Sequence, residues 1–400
     1  MSSDLHGDAA RGFSDKIDRI EIHEYGFDVE GLGRDSHLNL VSQAGARMKM
    51  TNFAVVMSTG AGARGEYCPM HGGKKAMLAQ VLMLAPLLIG RDPAFHEALY
   101  DDMKRAQRQW GFLGVGALDI ALWDLRARAA GLSVSAMLGA CRSRLPAYVS
   151  TIHADRNGNL SSKEAFATFA LEARELGFPG FKIHGWSEGN RVEEAENVLH
   201  LRAQVGDGMA LMLDPACELK TFADTLYVGQ ACDEAKYFWL EDPMRDAGTS
   251  QHAHRKLRQM IRTPILATEH VRGVEAKADW IAAEATDFVR ADPDLDLGIS
   301  GCMRIARIAE GFGLDVEIHG VGPAHRHCMA AIRNTNFYEL ALVAPGVRNP
   351  VPPVFTCGYS EQMADVGPDG CYAVPDGPGL GVQHDWDFIA RNRIATHVFE

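Results

Sequence analysis

No basic run stands out in this 400-residue sequence, and its formal net charge is −12. That balance speaks against nucleic acid as a partner. No stretch approaches the roughly 20 apolar residues that cross a bilayer, which speaks against a membrane protein. The opening MSSDLHGDAARGFSD lacks the apolar core of a signal peptide and reads as a frayed tail. Neither GxGxxG after a strand nor GxxxxGK[ST] occurs, which argues against the nucleotide-binding enzymes. The eight cysteines (Cys68, Cys141, Cys217, Cys232, Cys302, Cys328, Cys357 and Cys371) include no CxxC pair. Their scatter predicts a reduced, cytoplasmic protein.

What is present is an ordinary globular composition, 46% hydrophobic and 23% charged. The length suits one large barrel with a smaller partner domain. Residues 16–140 read as an α+β domain. It opens with strand-like sequence broken by a polar, Gly-rich loop, GLGRDSHLNLVSQAGARMKM. It then turns helical, as in GALDIALWDLRARAAGL, where Leu118, Leu122, Leu125 and Ala129 share a face and Gly131 follows as a stop. Over 145–354, apolar runs alternate with helical segments: AYVST, FKIHG, LMLD, YFWLED, ILATEH, DFVRADP, DVEIHG and FYELALVA. Their starts lie 22 to 34 residues apart. Eight such units predict a closed parallel barrel. Residues 355–400, rich in Gly and Pro at first, are expected to return to the first domain.

Ionisable residues fall at the carboxyl ends of the strands: Lys182 and His184, Asp214, Glu241, Glu269, Asp292 and His319, with Glu339 on the last strand. In a (β/α) barrel those ends share one face, where catalytic groups sit. Asp214, Glu241 and Glu269, spaced 27 and 28 residues apart, suit one hard divalent cation such as Mg2+, which keeps positions for water and substrate oxygens. Asp292 beside His319 forms a candidate base with its orienting carboxylate. Lys182 and His184 alternate onto one side. His184 becomes a second candidate base, kept neutral by the nearby ammonium, and Lys182 a contact for a substrate carboxylate. A protonated Glu339 is expected to donate to a developing enediolate. Arg290 and Glu317, each two residues before a member of the dyad, are expected to form a buried ion pair beneath it. His325 and His327 are left out of the metal set, because a zinc site there would compete with the dyad. His270 is expected to point away from the metal if the strand alternates, or to turn back into the site as a loop residue.

FKIHG, LMLDP, WLEDP, ATEH, ADPDLDLGISG, EIHG and FYEL, with GALDIALWDL and the tail PDGPGLGVQHDWD, together resemble the enolase superfamily in its mandelate racemase subgroup. The resemblance runs from about Lys16 to Trp386. It implies a (β/α)7β barrel under an N-terminal capping domain. It also implies one Mg2+ per active site on Asp214, Glu241 and Glu269, an Asp292–His319 base, an electrophilic Glu339, and homo-oligomers. The subgroup's usual Lys-x-Lys on the second strand is here Lys182-Ile183-His184, so His stands where the second Lys base is usual.

The expected chemistry is removal of the α-proton of a hydroxylated carboxylate by His319, to an enediolate whose charge the metal offsets. Loss of a β-hydroxyl as water then gives a 2-keto-3-deoxy acid. The acid is His319 for syn elimination or His184 for anti. A racemase, epimerase or cycloisomerase on the same enediolate is the alternative. A barrel retired to ligand binding is opposed by the complete strand-end set. The opening loop (Arg34, His37, Asn39, Gln43 and Arg47) and His71 are expected to contact the substrate's hydroxyls.

Overall fold

The computed structural model describes residues 15–35, 39–70, 74–245, 248–347 and 349–400. The first third holds β1 (Ile17–Arg34), β2 (Leu40–Thr59), β3 (Arg64–Tyr67), α1 (Lys74–Leu84), α2 (His96–Ala106), α3 (Leu113–Ala129) and α4 (Val134–Leu138). The middle alternates β4 (Arg144–His153), α5 (Lys163–Glu175), β5 (Gly180–His184), α6 (Arg191–Val205), β6 (Ala210–Asp214), α7 (Phe222–Glu234), β7 (Trp239–Glu241), α8 (Gln251–Arg258), β8 (Ile265–Ala267), α9 (Val274–Ala282), β9 (Phe288–Ala291), α10 (Gly298–Gly311), β10 (Asp315–Ile318), α11 (Pro323–Ala331) and β11 (Tyr338–Val343). The end supplies β12 (Cys371–Ala373), α12 (Trp386–Arg391) and β13 (Arg393–Phe399).

β13-β1-β2-β3 make an antiparallel sheet, so the last strand pairs with the first. The polar stretch 31–50, expected as a loop, is mostly strand. β1 and β2 form one long hairpin, with Arg34 opposite Leu40. The pairing slips between Glu30 and Leu32, where Gly31 takes φ 73°, and this bulge absorbs the extra residues of β2. Much of that arm is exposed, so it shows none of the apolar alternation that marks a half-buried strand.

The second sheet is the expected barrel, in the order β10-β9-β8-β7-β6-β5-β4-β11, parallel throughout, with β12 added antiparallel to β4. Apolar residues fill the strands because helices cover them outside and side-chain layers fill them inside. The early barrel helices start on side-chain caps. Ser162, Asn190, Thr221 and Ser250 accept from the N–H groups of Ala165, Val192, Asp224 and Ala253. No helix among the described residues is long and apolar enough to cross a membrane.

The ladder runs unbroken from β10 round to β11, and a carboxylate helps to close the seam between those two ends. Val316 N donates to Asn334 O at 2.8 Å. Glu317 accepts from Asn336 N at 3.1 Å, Asn336 Nδ2 at 2.7 Å and Phe337 N at 3.3 Å. The expected Arg290–Glu317 ion pair is therefore not made, although the two are register partners. N–H donors leading into β11 claim Glu317, while Arg290 turns to Glu241 and Glu339.

Burial pushes the Glu317 carboxyl up to about 7, above the ordinary 4.5. A group bound more tightly to its proton when folded contributes stability that is complete below its unfolded pKa. That stability is lost as pH climbs through the folded pKa. Against Glu317→Gln, the wild-type protein should therefore lose ground between pH 5 and pH 8, by up to roughly 3 kcal/mol. Urea midpoints at the two pH values check this, and an unchanged gap contradicts it.

Candidate active site

The strand ends assemble as a ring. Asp214 and Glu241 are the last residues of β6 and β7, and Glu269 lies two beyond β8. One oxygen from each falls within 4.8 Å of the others. Glu269 is brought inward by a turn at Thr268, a β-branched residue at φ 84°. Such a conformation persists only where its surroundings enforce it. Here Thr268 Oγ1 donates to Arg290 O at 3.2 Å and Lys277 Nζ donates to Thr268 O at 2.8 Å. Asp242, beside Glu241, is buried among the same carboxylates. Burial first, and then Glu269, Glu241 and Asp214, hold it well above the ordinary range. It accepts from Glu269 N at 3.3 Å, and with Glu269 and His270 it makes a second group whose ligand atoms fall within 4.8 Å of one another.

Two cations offset this acidity from below. Lys182 Nζ lies 2.8 Å from Glu241 Oε2, 3.0 Å from Glu339 Oε1 and 3.2 Å from Asp214 Oδ2. Burial disfavours its charge, but Glu241 and Glu339 overcome that and hold it well above the usual lysine range. Arg290, with no exposed surface, places Nε 2.5 Å from Glu241 Oε1 and Nη2 3.3 Å from Glu339 Oε2. It also donates to Tyr148 Oη at 2.9 Å and Ile318 O at 3.3 Å.

Glu339 also accepts from Gly320 N at 2.8 Å. It is buried, but Arg290 and Lys182 keep it ionised, well below the ordinary range. The expected protonated Glu339 donor is therefore corrected: the carboxylate accepts from two cations and an amide.

The His319–Asp292 pair is formed, with Nδ1 2.8 Å from Asp292 Oδ2. That leaves Nε2 facing Glu269 Oε1 at 3.5 Å. Burial disfavours the imidazolium, but the Glu269 charge and the Asp292 hydrogen bond outweigh it and raise the ring to about 9. The loop carrying Asp292 is folded on itself. Asp292 Oδ1 accepts from Asp294 N at 2.7 Å, and Asp296 Oδ2 accepts from Asp292 N at 3.0 Å. The first domain presses on this loop. Tyr67 Oη donates to Asp294 Oδ1 at 2.6 Å, and a Cβ at Gly116 of α3 would meet Asp294 O at 2.5 Å.

On the other side of the ring, His184 Nδ1 lies 2.6 Å from Thr151 O and Nε2 3.1 Å from Asp214 Oδ2. Both nitrogens face acceptors, whereas Lys182 is engaged by carboxylates. Thr151 O can only accept, so Nδ1 is the donor there, and Lys182 is taken up by Glu241, Glu339 and Asp214.

Arg47 is exposed and pairs with Asp28 across the hairpin at 3.2 Å. Arg34 is exposed as well. No hydrogen bond or ion pair among the described residues joins either to the ring, and with Gln43 they line a groove on the hairpin instead. His37 and His71 lie outside the described residues. His270 is exposed but turned back toward the site, 3.9 Å from Glu269 Oε1 and grouped with Glu269 and Asp242. His325 and His327 are buried in α11. His325 Nε2 is 3.5 Å from Asp292 Oδ1, and His327 Nδ1 accepts from Ser135 N at 3.1 Å. Sequence reasoning missed His153, the last residue of β4. The polar residue ending TIH was the available signal.

Three acidic oxygens from adjacent strands, with no sulfur among them, match a hard divalent cation. Removing a buried ion's partner costs about 3–5 kcal/mol. Arg290→Met should therefore lower unfolding free energy by about that much, read by denaturant titration. A loss under about 1 kcal/mol, the scale of an exposed pair, contradicts the network.

Known proteins match along most of the chain. Residues 165–388 match the profile of the enolase C-terminal domain-like family, and residues 40–139 that of the mandelate racemase/muconate lactonizing enzyme N-terminal domain. An L-talarate/galactarate dehydratase of Salmonella typhimurium is 26% identical over 269 residues. The alignment spans 65% of this chain and 65% of the relative, just under two thirds of its length. A D-galactarolactone cycloisomerase of Agrobacterium fabrum is 27% identical over 325 residues, 77% of this chain and 82% of its own. The crystal structure of a D-glucarate dehydratase from Agrobacterium tumefaciens, complexed with magnesium, superposes with a TM-score of 0.85. It is 24% identical and covers 95% of this chain and 99% of that one, which shows a shared fold. The barrel profile alone covers more than half of the sequence, and the chain belongs to the mandelate racemase/muconate lactonizing enzyme family of the enolase superfamily.

Proposed function

We propose that this protein is a magnesium-dependent acid-sugar dehydratase, with Asp214, Glu241 and Glu269 holding one Mg2+ and the His319–Asp292 dyad acting as base. The observation that carries the reading is where the dyad stands relative to the converging carboxylates. With Nδ1 given to Asp292, His319 Nε2 points to Glu269, one of three converging carboxylates. The dehydratase names of relatives, and the magnesium in the D-glucarate dehydratase of the same fold, support it. When bound, the metal supplies positive charge where the substrate carboxylate gains negative charge.

His319 Nε2 removes the α-proton, and Asp292 steadies the imidazolium that results. Glu269 contributes the strongest of the charges that favour a proton on this ring. Sharing that carboxylate with a cation weakens the hold and suits the ring to act as base. Lys182 and Arg290 fix Glu241 and Glu339, so neither carboxylate reorganises as charge moves. The β-hydroxyl leaves as water, with its proton from His319 for syn elimination or from His184 for anti. The enol then collapses to a 2-keto-3-deoxy acid.

The second reading, an isomerase, rests on His184 lying in the same ring as His319, and on the cycloisomerase relative. A panel of mono- and diacid sugars with Mg2+, assayed for 2-keto acid, separates the two. Keto acid should appear with one or two substrates and vanish with chelator. It should fall by about 10²–10⁴-fold in His319→Asn, the usual contribution of a general base. No keto acid, with solvent deuterium entering the α-carbon of recovered substrate, favours the isomerase.

A further inference from the structure

His153 completes the ring of strand-end groups, and nothing in the mechanism uses it. It is the register partner of His184, with ring centroids 4.9 Å apart and planes inclined at 48°. In ladder order, β4 lies two strands from β6 and Asp214 on one side. On the other it pairs with β11, which carries Glu339, and across the seam from β11 lies β10, which leads into His319. Asp35, from the tip of the β1–β2 hairpin, is close enough to bear on its charge, as are Asp214 and Glu269. His153 therefore lies within electrostatic reach of both the capping hairpin and the carboxylate cluster.

His184 is committed at both nitrogens, to Thr151 O and Asp214 Oδ2. His153 is not. It is 8% exposed, and its Nδ1 is buried with no hydrogen-bond partner. Buried polar atoms are almost always partnered, so one left open at a reaction site calls for an occupant. Burial, and then the neighbouring His184, push this imidazole down to about 3, so the ring is neutral near pH 7. A neutral imidazole carries one donor and one acceptor. That pairing matches a hydroxyl group, which both gives and takes a hydrogen bond. A carboxylate only accepts, and Lys182 and Arg290 already supply the cationic donors in this barrel.

We propose that His153 is a specificity-determining residue whose buried Nδ1 hydrogen-bonds a hydroxyl group of the bound acid, on the side of the site beneath the capping hairpin. The inference rests on the acid-sugar reading above and names the substrate feature it requires.

The test compares three variants on whichever sugar acid the wild-type enzyme dehydrates. His153→Leu removes both nitrogens, His153→Asn keeps a polar atom at the Nδ1 position, and His153→Gln moves it to the Nε2 position. His153→Leu should raise KM roughly three- to tenfold, the scale of one neutral hydrogen bond. Its kcat should stay within about twofold, as for loss of binding made equally in ground and transition states. Its thermal midpoint should not fall, because an unpartnered polar atom has been removed. His153→Asn should restore KM and His153→Gln should not. An unchanged KM in His153→Leu, or equal KM values for Asn and Gln, overturns the inference and leaves the dehydratase reading standing. If His153→Leu fails to fold, the Asn–Gln comparison alone decides. Wild-type protein that neither turns over nor binds any hydroxylated acid removes the dehydratase reading and this inference together.

Discussion

Everything at the mouth of the barrel depends on a buried charge balance. Asp214, Glu241, Glu269, Asp292 and Glu339 meet in a space where isolated carboxylates would be costly. Lys182 and Arg290 offset them from inside the barrel, and Glu241 is gripped at both oxygens, one by each cation. Such a network adds little net stability over an apolar core. What it does supply is position. The carboxylates arrive already oriented, so that much of the electrostatic work precedes the reaction.

The rest of the molecule holds that arrangement still. Strand β13 closes the first sheet against β1, so the end of the chain is built into the domain that covers the barrel. Arg326 of α11 pins the C-terminal segment. Its guanidinium lies 4.5–5.1 Å from the rings of Tyr338, Tyr359 and Tyr372, and it pairs with Glu361 at 2.8 Å. Tyr67 and Gly116 of the first domain fix the loop that carries Asp292. The dyad thus depends on contacts made by a domain that contributes neither of its members.

Much of this was legible in the sequence, for a physical reason. A parallel barrel repeats strand and helix at regular intervals and turns every strand end to one face. Spacing alone therefore selected Asp214, Glu241 and Glu269, which meet within 4.8 Å. What stayed hidden depends on relations between distant strands. Arg290 was matched to Glu317 by counting residues, but which inward side chains meet across a barrel follows from its stagger. The open seam gave Glu317 other donors. Glu339 was expected protonated, because nothing in FYEL shows that two cations lie within about 3 Å, the range of a charge-assisted hydrogen bond. The β1–β2 arm looked like a loop, because pairing between exposed polar backbones leaves no apolar rhythm. His153 was passed over, because its missing partner is visible only in three dimensions.

The central claim is that three strand-end carboxylates form one divalent cation site. Counting bound Mn2+ by electron paramagnetic resonance tests it without requiring turnover. The account predicts one saturable ion per chain, displaced by Mg2+, lost in Glu241→Gln and kept in His319→Asn. No saturable binding, or binding that survives Glu241→Gln unchanged, would contradict it.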